Sequence, residues 1–199
     1  MLKIGLTGSI GSGKTTIARV FSLLNIPVYL SDYEAKKILD QPEVTSLIVE
    51  KTGNSILSDN GLINRKALAE IVFNDIEKLQ WLNSLIHPRV RQNFFDWAED
   101  HKEYPYIIQE SAILFESGFD KFFNKIIVVT CPKEERISRV LKRDTMTRKE
   151  ILDRMDNQWA EELKIRKADI IIHNDEMSLA IPQVIACHNN FLNLSGKQS

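Results

Sequence analysis

Near the start of the chain, Gly8-Ser9-Ile10-Gly11-Ser12-Gly13-Lys14-Thr15 has the types and spacing of a phosphate-cradling loop, G-x-x-x-x-G-K-[ST]. Glycines let the backbone take positive φ and approach phosphate oxygens without a Cβ in the way. Successive amides then form an anion nest, reinforced by the positive end of the following helix dipole. Lys14 would reach the β- and γ-phosphates, and the Thr15 hydroxyl would meet Mg²⁺. Gly8 through Lys14, with Thr15 and Thr16, are therefore the candidate nucleotide-binding residues.

Three further candidates follow apolar segments. Asp32, after Val28-Tyr29-Leu30, is placed either to take a proton from an attacking hydroxyl or to cap a helix beginning near Tyr33. Glu110, after Ile107-Ile108-Gln109, stands where a group supporting Mg²⁺ belongs, or is a solvated strand-end acid. Asn174, after Ile170-Ile171-Ile172-His173, is expected near the phosphate loop on the adenine side, although Asn in such a turn also has a purely conformational use.

These residues need a scaffold, and the periodicities describe one. Strands are expected at Leu2–Thr7, Ile26–Leu30, Tyr106–Gln109, Lys125–Thr130 and Asp169–His173. Several are continuous apolar runs, as befits parallel strands covered on both faces. Ile17, Val20, Phe21 and Leu24 share one helical face directly after the phosphate loop. The expected class is α/β: a three-layer sandwich with a five-stranded parallel sheet.

Two stretches depart from simple alternation. Roughly seventy residues separate the second and third strands, far more than one crossover helix needs. Their pattern is helical, with Val44, Leu47 and Ile48 on one face and Leu68, Ile71 and Val72 on another. Asn64 is the expected N-cap there, Ser58-Asp59-Asn60-Gly61 a turn, and His87-Pro88 a kink or break. After the fourth strand, Pro132 opens a helix carrying Arg136, Arg139 and Arg143, and Thr147 with Glu150 forms a capping box for a second helix running to about Trp159. From Lys133 to Arg154 eight basic residues face five acidic ones. This pair is either a charged surface hairpin or a lid whose arginines neutralise phosphoryl-transfer charge.

At 199 residues the chain has room for one substantial core with an inserted subdomain. A net charge of −1 supplies no electrostatic argument for nucleic acid or an anionic membrane as partner. No apolar run reaches bilayer-spanning length, and the first residues read as strand and loop, so a cytoplasmic protein is expected. Cys131 and Cys187 have no metal-ligand spacing and read as reduced, buried thiols. The last residues, beyond about Asp175, read as a helix packed through Ile181, Val184 and Ile185 that trails into a polar, frayed tail.

Taken together, these landmarks resemble the dephospho-coenzyme A kinase family across most of the chain, to about residue 175. Ile4 to Thr15 is similar to that family's phosphate loop, and Asp32 to its catalytic aspartate. His87-Pro88-x-x-Arg91 matches an H-P-x-x-R segment, and Leu114-Phe115-Glu116 an L-L-F-E stretch. Arg139, Arg143-Asp144 and Gln158 match a lid pattern, and Ala168-Asp169 with Asn174 the A-D-x-x-I-x-N segment. Departures are Ser9 for glycine, Thr15 where serine is common, Glu34 for the second aspartate of D-x-D, and Glu110-Ser111-Ala112 for D-x-P.

The resemblance implies a P-loop kinase in which ATP·Mg²⁺ phosphorylates the ribose 3′-hydroxyl of dephospho-coenzyme A. It implies Asp32 as base; Lys14, Arg139 and Arg143 as charge-neutralising groups; and Thr15 with Glu110 at the metal. His87, Arg91, Leu114, Phe115 and Glu116 would line the acceptor site. The domains would be a core of residues 1–32, 104–138 and 159–199, a helical acceptor domain of 33–103, and a lid of 139–158. A kinase for a nucleoside monophosphate is the nearest alternative. A guanine-nucleotide switch is the more distant one, and Asn124-Lys125-Ile126-Ile127 lacks the aspartate of its N-K-x-D segment.

Overall fold

In the computed structural model, residues 1–196 are described, and the chain divides into two compact units. The first joins Met1–Leu30 to Ala98–Ser199; the second is Ser31–Trp97.

The first unit is built on five parallel strands: β1 (Leu2–Thr7), β2 (Val28–Leu30), β3 (Tyr106–Glu110), β4 (Lys125–Thr130) and β5 (Ile170–His173). Their order is β2-β3-β1-β4-β5, so β1 lies at the centre of the sheet. Leu6 pairs with Glu110 and Thr7 with Val128, while Leu30 also registers with Glu110. The carboxyl ends of β1, β2 and β3 therefore finish within one residue of one another, with β4 running two residues beyond β1, at the edge where open α/β sheets carry ligands.

Strand residues of both parities are buried. Ile4, Leu6, Ile108, Ile127, Val129 and Ile172 form one core with Ile17 and Phe21 of α1 (Lys14–Leu23). Ile107, Gln109, Ile126 and Val128, which point to the opposite face, are buried as well. That is the burial of a sheet covered on both sides by helices.

The element limits differ from the sequence reading where tertiary bonds intervene. Ile26 is not in β2, because α1 ends in a Schellman closure. Asn25 takes φ 61°, its N–H bonds the Ser22 carbonyl, and the Ile26 N–H returns to Phe21. Ile26 is thereby spent on the helix end, and the ladder starts at Pro27, whose carbonyl accepts from the Ile108 N–H.

Beyond β4, α6 (Lys133–Arg143) and α7 (Arg148–Asp156) pack through a small core of Ile137, Val140 and Ile151. The Thr147–Glu150 capping box is complete. The second helix does not reach Trp159. It stops at Asp156: the Asn157 and Gln158 N–H groups still turn back to Asp153 and Met155, the Trp159 N–H leaves for Glu116, and α8 (Glu161–Lys167) starts afresh. The last helix, α9 (Ala180–Ser195), packs through Val184, Cys187 and Phe191, a stripe at i, i+3 and i+7. Ile181 (59% exposed) and Ile185 (44%) lie off that stripe, so two of the three residues expected to pack do not. Helix also persists to Ser195 where a frayed tail was expected; residues 197–199 lie outside the described residues.

The second unit is helical: α2 (Ser31–Leu39), α3 (Pro42–Thr52), α4 (Arg65–Phe73) and most of α5 (Ile76–Asp100). Asn64 caps α4 by accepting from the Lys66 and Ala67 amides. Ser58 to Gly61 turn tightly, joined by the Gly61 N–H to the Ser58 carbonyl. Leu47 is exposed, which leaves Val44 and Ile48 as the packed face of α3. Pro88 does not end its helix: α5 continues through it, with Ser84 the carbonyl that loses its i+4 donor. Among the described residues no helix is long and apolar enough to cross a membrane.

The α9 stripe is testable by chemical denaturation. Val184→Ala, at a fully buried site, should lower unfolding free energy by about 2 kcal/mol, whereas Ile181→Ala should stay within about 0.5 kcal/mol. Equal losses would contradict the packing described.

Candidate nucleotide site

Directly after β1 the loop from Gly8 to Gly13 turns back on itself, with the Ser12 N–H bonded to the Ser9 carbonyl. Gly13 is the N-cap of α1 and takes φ 89°. It has no side chain to cap the helix, so the opening turn offers its dipole outward to an anion. A Cβ at Gly13 would strike the Asn174 side-chain amide, and the Arg139 guanidinium is the next group beyond it. At Gly11 (φ 80°) a Cβ would lie 2.5 Å from the Arg136 carbonyl oxygen. These are close approaches of other segments to the loop, and only glycine admits them.

Asn174 is where topology placed it, beside the loop. Its Nδ2 donates to the Ser12 carbonyl at 2.8 Å, and its backbone N–H bonds Thr130. In the described contacts it braces the loop. Ser12 Oγ is buried with no hydrogen-bond partner, a hydroxyl that a phosphate oxygen would satisfy.

Lys14 and Glu110 are both buried, with Nζ and Oε1 3.8 Å apart. Glu110 is thus no solvated strand-end acid. It shares the sheet edge with the residues leading into the loop, since it registers with Leu6. Thr15 and Thr16 are exposed at the start of α1. Among the described residues no group of three or more His, Cys, Asp or Glu could hold a metal. Thr15 and Glu110, the residues expected at Mg²⁺, would offer it two protein oxygens. Two protein oxygens suit this ion, which keeps several waters and leans on phosphate oxygens.

The arginines of α6 have three different fates. Arg136 is buried: its Nε donates to the Cys131 carbonyl and its guanidinium pairs with Glu161 at 2.7 Å. Glu161 also accepts from the Thr130 hydroxyl and the Cys131 N–H. Arg139 is half-buried, near Gly13, with Glu135 at 3.4 Å. Arg143 is exposed and bidentate to Asp144, at 3.0 and 2.8 Å, which holds the Asp144 carboxyl below its ordinary range. The structure brings Arg139 to the loop and leaves Arg143 on its neighbour. Burial pushes the Cys131 thiol up to about 11, so it is a neutral thiol at physiological pH, as expected of a packed cysteine.

Leu114-Phe115-Glu116 follows β3. Leu114 is fully buried beside Gly5. Phe115 stacks on Trp159 at 5.9 Å. Glu116 accepts from the Trp159 N–H and from fully buried Lys164, both at 2.8 Å. Sequence reasoning missed Glu161 and Lys164. Their only signal was a charge in a short helix, which burial alone makes significant.

In the second unit, Asp32 is the second residue of α2 and exposed. The helix begins at Ser31, so Asp32 lies inside the first turn, not at the cap; a carboxylate there still suits the dipole. His87 and Arg91 stand one turn apart on α5. Burial, with Arg91 adding to it, pushes the His87 imidazole below its ordinary pKa.

The model of the family described as dephospho-CoA kinase matches residues 2–179. The chain belongs to the dephospho-CoA kinase family. A dephospho-CoA kinase from Fusobacterium nucleatum is 41% identical over 172 residues, covering 86% of this chain and 89% of that protein. Among solved structures, TT1252 from Thermus thermophilus aligns with TM-score 0.83 and 29% identity, over 97% of each chain. The dephospho-CoA kinase from Campylobacter jejuni aligns with TM-score 0.69 and 28% identity, over 98% of this chain and 97% of that one.

The His87 environment is open to measurement by NMR. Its titration midpoint should lie below 6.5, and Arg91→Ala should raise it by removing a positive charge. Because the folded value is depressed, this group detracts from stability only as pH falls below 6.5. A midpoint at or above 6.5 would contradict the environment described.

Proposed function

We propose that this chain transfers the γ-phosphoryl group of ATP to the ribose 3′-hydroxyl of dephospho-CoA, releasing CoA and ADP as the last step of CoA synthesis. The observation that carries the reading is the glycine loop at the sheet's central strand, with buried Lys14 beside Glu110. Family membership supplies the acceptor, and the loop supplies the phosphate chemistry.

Gly8 to Thr16 bind the nucleotide phosphates, and Asn174 keeps that loop in shape. Lys14 and Arg139 offset charge on the transferred group, and Arg143 joins them once it leaves Asp144. Thr15 and Glu110 would hold Mg²⁺, which when bound supplies charge neutralisation at the phosphates. Asp32 accepts the proton of the attacking hydroxyl as the new P–O bond forms and the bond to ADP breaks. His87, Arg91 and the helical unit from α2 to α5 bind the acceptor, and residues 139–158 form a lid that excludes water.

The deciding assay is ADP release from ATP·Mg²⁺ with dephospho-CoA, compared with a panel of nucleoside monophosphates. Turnover with dephospho-CoA alone is expected; turnover only with a nucleotide would defeat the acceptor assignment. Asp32→Asn should keep ATP affinity and lose roughly 10²–10⁴ in kcat. Unchanged turnover in that variant would remove Asp32 from the chemistry.

A further inference from the structure

One residue of the phosphate loop is turned toward the helical hairpin by both of its groups. The Ile10 N–H donates to Gln158 Oε1 at 2.9 Å across 148 residues of sequence. The Ile10 side chain packs against the hairpin's own core of Ile137, Val140 and Ile151. The next residue along is pinned as well: the Trp159 N–H donates to Glu116, which Lys164 holds in place while also bonding the Ala112 carbonyl at 3.0 Å. At consecutive positions the end of the hairpin is thus tied to the phosphate loop by a side chain and to the segment after β3 by the main chain.

We propose that Gln158 is a positioning residue that hangs the lid on the phosphate loop through the Ile10 amide. The bond ties that amide of the loop directly to the lid. It also makes the segment at Gln158–Trp159 the fixed end of the hairpin, so that closure swings from there. The hairpin carries Arg139 and Arg143, so a lid with a slack mounting delivers them poorly and admits water. Its distinctive failure is ATP hydrolysis without transfer, which simple loss of stability does not produce. The activity arm of this idea rests on the kinase reading above.

The test uses the full-length protein with Gln158→Leu, which keeps bulk and removes the acceptor, and Gln158→Glu, which keeps an acceptor oxygen at the same reach. Amide exchange at Ile10, read by NMR without nucleotide, should quicken about 2–10-fold in the Leu variant and stay slow in the Glu variant. In the Leu variant, kcat for transfer should fall several-fold while the ratio of ATP hydrolysis to transfer rises. Unchanged exchange at Ile10 overturns the proposal, as does faster exchange with an unaltered ratio, which would make Gln158 a local brace only. Were wild type to phosphorylate no acceptor, the kinase reading would fall separately. Exchange at Ile10 and the ATP dissociation constant of the Leu variant would then decide this proposal, with unchanged values overturning it.

Discussion

A loop that grips an anion with its own amides cannot also hold itself in shape with side chains. That constraint organises the first unit. The phosphate loop is braced from outside, by the Arg136 carbonyl against Gly11 and by the Asn174 side chain on the Ser12 carbonyl and against Gly13. Those braces come from α6 and from the end of β5, so β4 and β5 must lie on the same side of β1, as they do in the order β2-β3-β1-β4-β5. Arg136 in turn keeps its place because Glu161 and the Cys131 carbonyl hold its guanidinium. A buried ion pair thereby shapes the loop.

Among the described residues the first unit buries three cations, each against a carboxylate, and the distances separate them. Arg136–Glu161 is 2.7 Å and Lys164–Glu116 is 2.8 Å, both within charge-assisted hydrogen-bonding range. Lys14–Glu110 is 3.8 Å, beyond it. Burying ions demands good geometry to offset lost hydration, and the first two pairs have it together with additional hydrogen bonds. The looser pair is the one flanking the phosphate loop.

What the sequence disclosed follows from how local each feature is. The phosphate loop, the Asn64 cap and the Thr147–Glu150 box are set by residues within a few positions of one another, so they were readable directly. The five strands announced themselves as apolar runs because both faces are covered. Long-range bonds were not readable. Ile26 left its strand for the end of α1, and α7 stopped short of Trp159, whose N–H bonds Glu116 far away in the chain. In α9, Ile181 and Ile185 were as apolar as Val184, and only the angle at which the helix meets the sheet decides which stripe is buried. The family pattern pointed to Arg139 and Arg143 together, but their different surroundings emerge only in three dimensions.

That difference has a physical logic. Arg136, Arg139 and Arg143 share one face of α6, spaced by one turn and then another. Along that face the side chains pass from buried, through half-buried, to exposed, as the helix leaves the sheet for the hairpin tip. Fixity near the sheet suits the residue that shapes the loop, and exposure near the tip suits the mobile role proposed for Arg143. The Arg143–Asp144 pair is well aligned, yet an exposed pair of this kind is worth only about 0.2–1 kcal/mol. A triphosphate would carry several times the charge of one carboxylate, and closure of the proposed lid would remove the water that weakens the attraction. Asp144 therefore holds Arg143 in a defined position through a pair that costs little to break, which suits the movement proposed for this guanidinium.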